Sequence, residues 1–153
     1  MRKSERKKES ALQLFSADTA TKMALPLAEG GISAGFPSPA QDYIDLSLDL
    51  NKELIANPSS TFFGRVRGES MKDAGILDGD LLVIDKSLEP QDGDTAVCFI
   101  DGDFTLKYIK FEKDAVYLIP ANPAFQPIKV TEENNFCIWG VVTYSIKSHR
   151  HHR

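Results

Sequence analysis

Residues 95–111 read TAVCFIDGDFTLKYIKF. Two runs rich in β-branched and aromatic residues, Thr95–Ile100 and Phe104–Phe111, flank Asp101-Gly102-Asp103, a strong hairpin signal. The same texture continues outward. Phe62–Val66 and Asp80–Asp85 precede the hairpin, and Ala115–Ile119 and Phe136–Ile146 follow it. Asp-Gly-Asp recurs at 78–80 and 92–94. It reads as turn chemistry, because a calcium loop of the EF-hand type needs oxygen ligands at close regular spacing and a distal Glu. Many short strands joined by Gly turns predict a mainly β domain, barrel-like or sandwich-like. One short helix is expected over Asp49–Ala56, capped by Asp49 and ended by Asn57-Pro58.

The N-terminal side has a different texture. Residues 1–45 read as a polar arm, and Gly, Ser, Ala and Pro concentrate in EGGISAGFPSPA, 29–40. Pro37 and Pro39 remove backbone donors and hold their neighbours extended, so this stretch is expected to be accessible. The expected organisation is an arm at 1–45, a β-rich domain at 46–147 and a polar tail, SHRHHR, at 148–153. The charged start, RKSERKK at 2–8, reads as a solvated extension or as a contact to nucleic acid or an acidic partner.

The 153 residues suit one compact domain with a tail. The 42% hydrophobic and 26% charged residues argue against disorder of the whole chain and against a fibrous protein. A net charge of -4 gives no general attraction to phosphate backbones, so nonspecific DNA binding is not expected. No run approaches the roughly 20 apolar residues of a membrane span. Neither anchor nor signal peptide is read, and a cytoplasmic location is expected. Cys98 and Cys137 lie in apolar runs and are expected to be buried free thiols. No cofactor and no metal site are expected.

The segment Gly68-Glu69-Ser70-Met71 lies between a strand and a Gly/Asp-rich turn. A serine hydroxyl is a poor nucleophile until a base takes its proton. The usual base is His, but His149, His151 and His152 all sit in the last five residues. The remaining arrangement is a serine with a lysine. That lysine must be neutral near pH 7, which burial can achieve by penalising the charged form. Lys107 shares a strand face with Thr105, Ile109 and Phe111, whereas Lys110 falls on the other face with Leu106 and Tyr108. Period alone leaves the choice between the two lysines open.

The runs FPSPAQDYID, GESMKDAGILDGDLLVID, GDTAVCFIDGDFTLKYIK and LIPANPAFQPI occur in this order between about Ser33 and Val142. Together they resemble the UmuD branch of the LexA/UmuD family, self-cleaving serine peptidases of the bacterial response to DNA damage. The resemblance implies a LexA/UmuD-type catalytic β core with an extended arm, paired as a homodimer. It implies Ser70 as nucleophile, Lys107 as general base, and the backbone amides of Glu69 and Ser70 as oxyanion hole. It also implies that the bond cut is Ala34–Gly35. Ala34 is small, and Gly35 has no side chain to obstruct attack on the carbonyl carbon.

LexA-like members carry a DNA-binding helix-turn-helix domain ahead of the bond, whereas UmuD-like members carry a short arm. Thirty-four residues precede it here, with no helix-turn-helix pattern, which favours the UmuD-like reading and argues against sequence-specific DNA binding. The resemblance further implies cleavage stimulated by a RecA–single-stranded DNA filament. The product, residues 35–153, would pair with a UmuC-like Y-family polymerase in error-prone translesion synthesis of the polymerase V type. Two other readings stand beside it: a headless LexA- or phage-repressor-like regulator that acts by binding, and a non-cleaving polymerase scaffold.

Overall fold

A computed structural model describes residues 12–17, 24–27 and 46–150. The hairpin forms where its sequence signal lies. β6 (Thr95–Ile100) and β7 (Asp103–Glu112) pair antiparallel with Ile100 opposite Asp103, which leaves Asp101-Gly102 as a two-residue turn. Both turn residues have positive φ, 47° and 89°, as a type I′ turn requires. The other strands expected from composition are β4 (Thr61–Val66), β5 (Leu81–Asp85), β8 (Ala115–Ile119) and β10 (Phe136–Ile146). The helix is the single turn α1 (Leu50–Leu54), with the Asp49 side chain accepting from the Asn51 amide at 3.0 Å.

The structure adds four strands that composition did not announce: β1 (Leu12–Ser16), β2 (Ala24–Leu27), β3 (Leu46–Asp49) and β9 (Ile128–Val130). Two of these, β1 and β2, fall within the stretch expected to be an arm. The whole of β1 pairs with β4, from Leu12 opposite Val66 to Ser16 opposite Phe62, and Leu12 enters the core. Its apolar residues are few, but Gly64 leaves room for Leu14 and Leu12 against the sheet. β2 and β3 form a separate two-stranded ribbon. The Ala34–Gly35 bond lies outside the described residues, as do Met1–Ser10 and the last three residues of the tail.

Among the described residues, eight strands form one antiparallel sheet in the order β1-β4-β5-β10-β6-β7-β8-β9. The last strand, β10, is therefore inserted between β5 and β6 and joins the two halves of the chain. Register shifts at Ile138/Gly140 and Val142/Tyr144 bend it. One core cluster brings Leu12 of β1 together with Leu82 and Ile84 of β5, Val97 of β6 and Leu106 of β7. Strands so distant in the sheet share a core only because the sheet curls. A second cluster, Ala96, Cys98, Ile109 and Leu118, fills the opposite face of β6–β8.

Cys98 is buried as expected, but Cys137 is exposed. On β10 the half-buried Phe136 and Ile138 pack against the second cluster, and the residue between them turns outward. An apolar run does not bury every member when its strand has one open face.

Gly140 sits where a side chain would have no room. A Cβ there would stand 2.6 Å from Cγ2 of the fully buried Ile84. Gly140→Ala is expected to destabilise the fold by about 1–3 kcal/mol through overpacking. Urea unfolding measures it, and an unchanged midpoint would show that β5 can give way.

Candidate functional site

The site begins with the loop from β4 to β5. Its base is closed by two backbone bonds, Val66 N–H to the Asp80 carbonyl at 2.9 Å and Gly79 N–H to the Val66 carbonyl at 2.8 Å. Gly68 turns the chain with φ of 94°, and its N–H donates to Asp78 Oδ1 at 2.8 Å. A residue with a Cβ is strained at that φ, which explains the glycine two places before Ser70. Just beyond, Met71 plunges into the first core cluster with 1% of its surface exposed. Its carbonyl accepts from Ala74 and Ile76, closing a short 3₁₀ turn over Lys72–Ala74. Ser70 is thereby held half-buried at the rim of the core.

β7 supplies the second partner. β8 pairs with β7 only from Tyr108 onward, where Tyr108 lies opposite Ile119. The Ser70 turn reaches the preceding stretch, Thr105–Lys107. Lys107 Nζ donates to Thr105 Oγ1 at 2.8 Å and to the Leu106 carbonyl at 3.0 Å, and it lies 3.1 Å from Ser70 Oγ. The two residues are 37 positions apart. The alternative lysine, Lys110, is half-exposed and pairs with Glu112 at 3.2 Å.

The three neighbours of Nζ can satisfy a neutral amine as well as an ammonium. A neutral amine has two N–H donors and one lone pair, and here it has two acceptors plus one hydroxyl. Lys107 is 7% exposed, and no carboxylate contacts its amine among the described residues. Burial pushes its pKa below the ordinary lysine range. The nearby Cys98 would oppose this only as a thiolate. Burial pushes that thiol up to about 12, so it stays uncharged in the neutral range.

Among the described residues, neither the Glu69 N–H nor the Ser70 N–H donates to a protein acceptor. Among the described residues these two backbone donors beside the hydroxyl have no protein partner, and an oxyanion hole is built from donors of this kind. The geometry thus brings together the three groups singled out in the sequence: Ser70, Lys107 and the 69–70 amides. Sequence reasoning missed two others. Thr105 was placed on the face of Lys107 but given no role. Asn122, buried at 7% exposure, donates from Nδ2 to the Glu69 carbonyl at 2.8 Å. Thr105 could have been found from its spacing of two from Lys107. Asn122 carries no local signal.

A curled β sheet that sets a serine hydroxyl on a desolvated amine, beside amides with no partner among the described residues, has the parts of an acyl-transfer site. A family model described as Peptidase S24-like matches residues 26–143. Protein ImpA of Salmonella typhimurium is 44% identical over 127 residues, covering 79% of this chain and 82% of its own length. Protein MucA of Escherichia coli is 39% identical over 140 residues, covering 90% and 95%. A LexA repressor of Colwellia psychrerythraea is 42% identical over 127 residues, covering 82% of this chain and 59% of the repressor. The chain belongs to the S24-like peptidase family, as a UmuD-like member of its LexA/UmuD group. The family resemblance and the mainly β class read from the sequence are both borne out. At the coarse level, membership supports a self-cleaving serine peptidase associated with the SOS response. No helix among the described residues is long and apolar enough to cross a membrane.

Proposed function

We propose that Ser70 and Lys107 are the dyad of a self-cleaving serine peptidase that cuts its own Ala34–Gly35 bond. The observation that carries this reading is the 3.1 Å contact between Lys107 Nζ and Ser70 Oγ, with the other two amine contacts taken by acceptors. Neutral Lys107 takes the Ser70 proton. Ser70 Oγ attacks the Ala34 carbonyl carbon, and the Glu69 and Ser70 amides hold the resulting oxyanion. As the C–N bond breaks, Lys107 returns its proton to the Gly35 amine. Water, deprotonated by the same lysine, then releases Ala34 from Ser70. Thr105 directs the amine by accepting one of its N–H bonds. Because bond and nucleophile belong to one chain or one dimer, attack is local, which can supply much of the barrier lowering.

In this reading cleavage is switched on by a RecA–single-stranded DNA filament in the cytoplasm. The homodimeric product, residues 35–153, then joins a UmuC-like Y-family polymerase for translesion synthesis. What supports this is kinship with the UmuD-like proteins. The match to a LexA repressor favours a second reading, a regulator that acts by binding DNA. Specific operator retention in a gel shift would favour it.

Intact mass against time tests the peptidase reading. Wild type is expected to yield the Gly35–Arg153 fragment, alone at alkaline pH or with RecA filament and nucleotide near neutrality. Ser70→Ala is expected to yield none. A fragment from Ser70→Ala would sink the assignment.

A further inference from the structure

Among the described residues, and apart from the Lys107–Ser70 contact, the turn that carries Ser70 is hydrogen-bonded from one place outside the β4–β5 loop. That place is the Ala121–Asn122 stretch just after β8. The Ala121 carbonyl accepts from Asp73 N–H at 2.7 Å, and the Ala121 N–H donates to Met71 Sδ at 3.3 Å. Asn122 Nδ2 donates to the Glu69 carbonyl at 2.8 Å. Three bonds from two consecutive residues therefore grip the turn on both sides of Ser70. The Asn122 amide has one orientation that satisfies both its neighbours, because Oδ1 accepts from the Ala124 N–H at 3.0 Å.

The Glu69 carbonyl and the Ser70 N–H belong to one planar peptide unit. There are no cis peptide bonds among the described residues, so these two groups point in opposite directions. Fixing the carbonyl fixes the amide. The local turn bond from Lys72 N–H to the same carbonyl is longer, at 3.2 Å, and comes from the segment that needs to be held. Asn122 is the donor anchored elsewhere.

We propose that Asn122 is a positioning residue for the acyl-transfer site: by holding the Glu69 carbonyl it aims the Ser70 N–H at the developing oxyanion. Among the described residues it makes no hydrogen bond to Lys107. The inference rests on the Ser70–Lys107 reading and adds a residue to it. It makes a demand that simple packing does not. Losing the donor should slow the chemistry while leaving the proton acceptor alone.

Asn122→Asp keeps the shape and the acceptor for Ala124, and removes the donor to Glu69. Asn122→Ala removes both. Self-cleavage is followed from about pH 7 to 10 by intact mass, well below each variant's unfolding midpoint. Both variants are expected to lose about 10- to 100-fold in limiting rate, less than direct removal of an oxyanion donor, which costs about 10²–10³. The pH at which the rate levels off should stay where it is in wild type. Folded variants that cleave at the wild-type rate across the range would overturn the role of Asn122 while leaving the dyad intact. A shifted levelling pH with an unchanged limiting rate would also overturn it, since Asn122 would then act on Lys107. A wild type that neither cleaves nor takes a fluorophosphonate label at Ser70 would overturn the dyad, and the inference with it.

Discussion

Lys107→Met is expected to stop self-cleavage and, near neutral pH, to stabilise the fold. The loss of rate should be on the order of 10⁴ or more, the range seen when the base of a serine nucleophile is removed. Methionine fills similar space without a lone pair to take the Ser70 proton. Lys107→Arg should fail equally, because a guanidinium cannot become neutral in this range. Lys110→Met is the control. Its amine is half-exposed and, among the described residues, pairs only with Glu112, so cleavage should be unchanged and stability should move by less than about 0.5 kcal/mol. Fragment formation by Lys107→Met at the wild-type rate would remove Lys107 from the mechanism.

The stability half of this prediction has a definite sign. Burial lowers the Lys107 pKa in the folded chain relative to the unfolded one. Between the two values the unfolded state binds more protons, so wild-type stability rises with pH in that window. It runs from the depressed folded value up to about 10.4, the ordinary lysine value. Below it the folded state carries a buried cation, and the full penalty applies. Lys107→Met has no such penalty. Its advantage over wild type should be largest below the folded pKa and should narrow as the pH climbs towards 10.4. Below the folded value wild-type cleavage should gain about tenfold per pH unit, since the neutral fraction does, and then level off. Both curves report the same proton. A stability difference flat across this range would mean that the amine is not desolvated.

How far the sequence could anticipate this arrangement depends on where each residue sits in the sheet. The β6–β7 hairpin was legible because Asp101-Gly102 carries its own turn chemistry. β9 has only three residues, and β1 is an edge strand with two inward leucines, so neither builds a run long enough to stand out. The choice between Lys107 and Lys110 failed for a different reason. β7 lies between β6 and β8, and both of its faces are covered at mid-strand: Leu106 is 3% exposed and Ile109 is fully buried on the other side. Period two separates lysines only when one face is wet. What distinguishes Lys107 is the departure of β8 at Ile119, which lets the Ser70 turn reach it. That is a property of the assembled sheet. Asn122 lies 53 positions from Glu69 and belongs to the same category. Family resemblance found Lys107 by a route that composition and spacing do not contain.

Met71→Ala is expected to cost about 2–5 kcal/mol, the usual range for emptying a buried methionine site. Met71 is 1% exposed within the cluster that contains Leu82, Val97 and Leu106. Its truncation also strips the Ala121 N–H of its Sδ partner. A second consequence follows from its place in the chain. Met71 is the residue after Ser70, and its side chain is the anchor that sinks this end of the turn into the core. Without it the turn keeps the Asn122 bond on one side and the Asp73–Ala121 backbone bond on the other, but loses its side-chain anchor in the core. The rate of self-cleavage per folded molecule should therefore fall at least about tenfold, because small displacements of a nucleophile are costly. Leu82→Ala supplies the comparison. Leu82 is fully buried in the same cluster, but on β5 and off the turn. It should cost a similar amount in urea unfolding and leave the folded-state rate unchanged. Met71→Leu should retain most of both, since it conserves volume and keeps the anchor. If Met71→Ala and Leu82→Ala slow cleavage equally once corrected for unfolded protein, the core supports the site only through overall stability. If Met71→Ala alone is slow, the site is held by the residue beside its nucleophile, and the core cluster positions Ser70 as directly as it stabilises the sheet.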